Sequence, residues 1–159
     1  MQNKPLRTFI ISVAVAICAL TVRPTYASFA DASADLLMSN TQAAFSMYYG
    51  LLSLQGKSRV HTYYAYTYMK AAKDYSWTAY GKALAAYSIY GYSIYGYYAQ
   101  SYSYYDWYYK SQSSNNLYQA YIRPSASATS RAVTNGYLAL HNSAYASYYL
   151  GLASSGGSK

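Results

Sequence analysis

Glutamate is absent from these 159 residues, cysteine occurs once, proline three times, and charged side chains of all kinds amount to 10%. Each shortage removes a class of chemistry. Acid–base catalysis needs carboxylates or imidazoles placed in pairs, and only Asp31, Asp35, Asp74, Asp106, His61 and His141 can supply them. The two histidines stand far apart without paired ligand spacing, so no metal motif is formed. Serine is plentiful, but no G-x-S-x-G elbow presents one as a nucleophile. Gly50, Gly56 and Gly81 lack both the spacing and the Lys-Ser/Thr ending of a phosphate-cradling loop. Nor does a glycosylation sequon begin at Asn40, Asn115, Asn116, Asn135 or Asn142. The chain reads as a non-enzyme that calls for no cofactor and no metal.

The first 27 residues read as an address. Lys4 and Arg7 precede an apolar run from Phe9 to Val22 and a small-residue exit at Thr25-Tyr26-Ala27, the pattern of a secretory signal peptide. That run is shorter than the roughly 20 residues a helix needs to cross a bilayer core, so no transmembrane span is expected after cleavage. Cleavage after Ala27, with Ala30 as the alternative, removes Cys18 and leaves residues 28–159 without a disulfide. It also leaves nine Lys and Arg against four Asp. Those cations are scattered, with their densest group between 57 and 73, and lack the tight basic stripe of a nucleic-acid reader. Nucleic acid is therefore not an expected partner, whereas anionic polysaccharide or an envelope surface suits the compartment.

What the chain has is tyrosine. Tyr (25), Ala (21) and Ser (22) account for 68 of the 132 residues from 28 to 159. The span 87–109 alone holds 11 Tyr, including the tandem YSIYG-YSIYG. Two architectures compete for it. Gly/Ser/Tyr mixtures resemble aromatic low-complexity segments that form cross-β assemblies, so a cross-β segment at 87–109 is the alternative. The spacing favours helix: Trp77, Tyr80, Leu84, Tyr87, Gly91, Tyr95, Tyr98, Tyr102, Tyr105 and Tyr109 advance by threes and fours, close to the ~3.6 residues of an α-helical turn. Composition agrees, because Ala is the best helix former, Val, Ile and Thr together number only 11 after residue 27, and Pro124 is the only proline there.

The expected fold is all-α: an antiparallel helical bundle or extended helical hairpin of three to five helices. A single domain spans 28–153, followed by a flexible tail at 154–159. Ser39-Asn40-Thr41-Gln42 reads as a capping box, with an earlier start near Asp31 or Asp35 as the alternative, so the first helix covers about 35–55 and ends at Gly56. Leu37, Ala44, Tyr48 and Leu51 line one of its faces. A second helical stretch runs from Ser58 to Lys110, with a bend or break at Gly81, Gly91 or Gly96, so it is one helix or two. Residues 111–116 read as a loop and 117–122 as a helical turn; Arg123-Pro124 is a break, and a last helix over about 127–153 places Val133, Tyr137, Leu140, Ala144 and Tyr148 on one face. Leu37, Leu51, Leu84 and Leu140 are expected inside the subunit.

Function follows from arithmetic on the phenol rings. They are too many for one helical core, and a ring that gains by leaving water while keeping a hydroxyl partner is enriched at protein interfaces. The sequence points to a secreted structural protein that self-assembles, through a surface formed by Tyr87, Tyr95, Tyr98, Tyr102, Tyr105 and Tyr109, into an extracellular filament, coat or matrix. The principal partner is a second copy of the chain. The alternative is a non-enzymatic module binding polysaccharide or the cell envelope, with rings as platforms for sugar faces.

Overall fold

A computed structural model describes residues 27–56, 58–89 and 93–156; the expected signal peptide lies outside them, apart from its last residue. Four helices follow one another: α1 Ala27–Gly56, α2 Arg59–Ile89, α3 Ile94–Ile122 and α4 Ala126–Gly156. Each is about 45 Å long. Successive helices pack antiparallel, α1 also meets α4, and α1 and α3 lie diagonally across the bundle.

Local chemistry sets the boundaries. Three helices begin at serine: the hydroxyls of Ser58, Ser93 and Ser125 accept the backbone N–H of His61, Gly96 and Ala128 at 3.3, 3.0 and 3.2 Å. Each satisfies one of the donors that a helix start leaves open. α1 closes at Gly56. α3 stops at Arg123, whose extended backbone (φ −129°, ψ 96°) is the conformation that Pro124 imposes on its predecessor.

The core is made mostly of small residues. Buried positions advance three, four, three, four along every helix: Phe29, Ala32, Leu36, Ser39, Ala43, Ser46, Gly50 and Ser53 on α1; Thr62, Ala65, Met69, Ala72, Ser76, Ala79, Ala83 and Ala86 on α2; Gly96, Ala99, Ser103, Asp106, Lys110, Ser113, Leu117 and Ala120 on α3; Thr129, Ala132, Gly136, Ala139, Ser143, Ala146, Leu150 and Ala153 on α4. A sustained seven-residue repeat is the pattern of a left-handed coiled bundle.

Side chains this short let backbones approach closely. Ser39 Oγ reaches the Ala72 carbonyl at 2.6 Å, Ser46 Oγ the Ala65 carbonyl at 2.6 Å, and Ser113 Oγ the Ala132 carbonyl at 2.7 Å. A serine hydroxyl stands one bond beyond Cβ, so it bonds a neighbouring backbone only where two helices nearly touch. At Gly136 an added Cβ would stand 2.9 Å from Cγ and Sδ of Met47, and at Gly50 3.0 Å from Cγ2 of Val133. These two glycines set the approach of α1 to α4.

The described residues of 87–109 hold no strand, in keeping with the helical expectation; α2 ends at Ile89 and α3 begins at Ile94, so 58–110 holds two helices. Other expectations are corrected. Residues 111–116 continue α3, because Ser113 and Ser114 are core positions and not loop polarity. Ser39 sits buried within α1, where its hydroxyl bonds α2 instead of capping a helix. Leu37, Leu51 and Leu140 are only partly buried and Leu84 is 38% exposed, because the core stripe lies one residue earlier, at Leu36, Gly50, Ala139 and Ala83. α4 continues to Gly156, and residues 157–159 are outside the described part.

Candidate functional site

None of the 23 tyrosines with a described side chain is buried: 14 are exposed and nine half-buried. This follows from the repeat. With the inner positions held mainly by Ala, Ser and Gly, each ring falls on a flank or the outer face, and the flank rings close over the grooves between neighbouring helices.

Three aromatic seams result. Between α1 and α2, Tyr49 meets Tyr64 at 5.3 Å and stacks on Tyr68 at 5.7 Å, while Phe45 meets Tyr68 at 5.4 Å. Between α2 and α3 the pairs are Tyr63–Tyr121, Tyr66–Tyr118, Trp77–Trp107 and Tyr80–Tyr104, at 5.4, 5.5, 4.8 and 5.7 Å. Between α3 and α4, Tyr98 meets Tyr149 at 5.0 Å and Tyr102 stacks on Tyr145 and Tyr149 at 5.1 and 5.6 Å. These separations lie within the range of favourable aromatic pairs. Desolvation first, and then the Coulombic influence of Tyr102, Tyr98, Tyr148 and Tyr145, pushes the Tyr149 phenol above its ordinary pKa.

The six tyrosines expected to associate divide accordingly. Tyr95, Tyr98, Tyr102, Tyr105 and Tyr109 each precede a core residue of α3 by one position, so they form a single flank beside Gly96, Ala99, Ser103, Asp106 and Lys110. Tyr98 and Tyr102 are engaged within the subunit by Tyr149 and Tyr145. Tyr95 and Tyr105 are 42% and 50% exposed, and Tyr109 lies edge-on to Tyr108. Tyr87 belongs to α2 and packs its ring against Gly96, across the break. Tyr145 and Tyr149, which complete the α3–α4 seam, are not in the expected set. Their signal was the i, i+4 spacing, which matches Tyr98 and Tyr102 read in the opposite direction.

A second constellation lies at mid-height. The apolar core falls into two clusters, one around Leu36, Ala83, Ala99 and Leu150 and one around Met47, Met69, Leu117 and Ala132. Between them lie Asp106 and Lys110, both fully buried. Lys110 Nζ donates to Asp106 Oδ2 at 2.8 Å, Ser39 Oγ at 2.7 Å and Asn40 Oδ1 at 3.1 Å. Asp106 Oδ1 stands 2.7 Å from the same nitrogen, in Coulombic contact but outside hydrogen-bond geometry. Ser76 Oγ donates to Asp106 Oδ2. Burial raises the pKa of Asp106 against the opposing pull of Lys110 and its hydrogen bonds, and lowers that of Lys110 against the pull of Asp106. In the sequence Asp106 is one of four carboxylates and Lys110 one of several scattered cations, and only their i, i+4 spacing hints at the pair.

His61 faces Tyr49 and His141 faces Tyr145, on different seams. Among the described residues no three of His, Cys, Asp and Glu are grouped to hold a metal ion, and no helix is long and apolar enough to cross a membrane. Comparison with protein families, curated proteins and solved structures found no match to this chain.

Proposed function

We propose that this is a secreted, non-enzymatic structural subunit whose copies associate through their tyrosine faces into an extracellular filament, coat or matrix. One observation carries the reading: no described tyrosine is buried in the core, and 14 of the 23 described rings are exposed. Exposed rings of this number are apolar surface that a second copy covers with gain, while the hydroxyls find partners across the contact. Unlike faces meeting head to tail extend into a filament or sheet unless the rotation between copies closes a ring. Light scattering and electron microscopy of the chain lacking residues 1–27 test this. Concentration-dependent growth into regular polymers is expected; a monomer at every concentration would refute it.

A second reading, binding to polysaccharide or envelope, draws on one specific feature. Arg59, Val60, Tyr63, Tyr64 and Tyr121 line an open depression of about 450 Å³, and the Arg59 guanidinium lies 5.0 Å from the Tyr121 ring centre. Aromatic faces beside a cation suit an acidic sugar. Glycan-array binding by a chain that stays monomeric would select this reading.

A further inference from the structure

We propose that Lys110 and Asn40 form an intramolecular isopeptide bond, with Asp106 as the catalytic acid–base group, stapling α1 to α3 across the centre of the bundle. This is independent of the assembly reading. The reaction needs an amine, a carboxamide carbonyl and a group able to move protons between them, held together away from water. All three are present. Lys110 Nζ is 3.1 Å from Asn40 Oδ1, which places it within about 4.3 Å of the carbonyl carbon, one C=O bond further on. Attack requires the end of the lysine chain to close that gap to the roughly 3–3.5 Å of a near-attack geometry. Asp106 Oδ2 touches the same nitrogen at 2.8 Å.

Burial supplies the reactivity. An ammonium is not a nucleophile, and Lys110 is fully enclosed, where desolvation lowers its pKa and raises that of Asp106. Both shifts favour passing one proton from Nζ to Oδ2, leaving a neutral amine beside a carboxylic acid. The amine lone pair then attacks Cγ of Asn40, and the carbonyl electron pair moves onto Oδ1. Asp106 gives its proton to Nδ2 and takes one from Nζ. The electron pair on Oδ1 re-forms the carbonyl, the Cγ–Nδ2 bond breaks, and ammonia leaves. The products are a secondary amide, one ammonia and a protonated Asp106, with no oxidant or outside reagent. Ser39 and Ser76 hold the amine and the carboxylate from either side.

Mass spectrometry of the full chain, denatured, decides the matter. The expected result is a mass lower by one ammonia and, after trypsin, a peptide ending at Lys57 joined to one that starts at Ala83 and runs uncut through Lys110. Asp106→Asn and Asn40→Ala should restore both the mass and cleavage after Lys110 while far-UV circular dichroism stays helical. A mass equal to that of the sequence, or ammonia loss without the 40–110 link, would overturn the proposal. So would a link that persists in Asp106→Asn.

Discussion

Lys110 spends its three ammonium hydrogens on three acceptors from two helices, and the desolvation of two charges is only partly repaid by their attraction. Such a pair is poor as a source of stability. Both charges ride on α3, so a slip of α3 against α1 or α2 keeps the pair together and costs it the hydrogen bonds of Ser39, Asn40 and Ser76. In an Asn40→Ala background, where no link can form, Asp106→Ala should destabilise the chain by about 3–5 kcal/mol, whereas Asp106→Leu with Lys110→Met should recover most of that loss. The pH dependence has a definite sign. A Lys110 pKa below its ordinary 10.5 in the folded state means that stability falls as pH drops from that value towards the folded one. Removing Asp106 exposes this slope, so urea midpoints of the Asp106→Ala chain should climb as pH is raised towards 10.5. With the pair intact, Asp106, raised from 3.8, contributes the opposite slope. Folded and unfolded states then each hold one proton between those two values, and the pair's contribution should be flat there.

At the scale of the helix, the repeat was legible and its phase was not. Threes and fours announced helices in the sequence, and Gly56 and Pro124 marked ends that the structure keeps. Reading large residues as the buried face then put Leu37, Leu51, Leu84 and Leu140 inside, one position away from Leu36, Gly50, Ala83 and Ala139. Two stripes of equal period run side by side here, one of Ala, Ser and Gly, the other aromatic, and hydrophobicity alone ranks the wrong one higher. The deciding fact is geometric: four facing stripes of small residues let backbones meet, as the serine-to-carbonyl bonds attest. The same error hid Ser113 and Ser114, whose polarity suggested a loop. Mutational sensitivity should therefore invert the usual order. Ala65→Leu, which forces three extra carbons against Ser46, should lower stability by about 1–3 kcal/mol or more, and Gly136→Ala should also destabilise by crowding Met47. Leu84→Ala should change it by about 0.5 kcal/mol or less. Urea denaturation of the three variants measures all of this.

For the whole molecule, the question is how rings are shared between holding one subunit together and joining subunits. A core of Ala and Ser removes little apolar area from water, so the half-buried rings over the seams must contribute to folding as well. Tyr102 belongs to that group: it stacks on Tyr145 and Tyr149 and packs on the apolar cluster around Leu36 and Leu150. Tyr105 and Tyr148 are 50% and 60% exposed, and their aromatic contacts are edge-on to sequence neighbours, Tyr104 and Tyr149. The two classes should separate on substitution by serine. Tyr102→Ser should lower the urea midpoint by an amount matching about 0.5–1.5 kcal/mol for each lost ring pair. Tyr105→Ser with Tyr148→Ser should leave the midpoint nearly unchanged and raise the concentration at which light scattering detects assembly. Were the exposed pair to reduce folding and leave assembly intact, the rings would be acting as cladding for one bundle, and the sugar-binding reading around Arg59 and Tyr121 would take precedence.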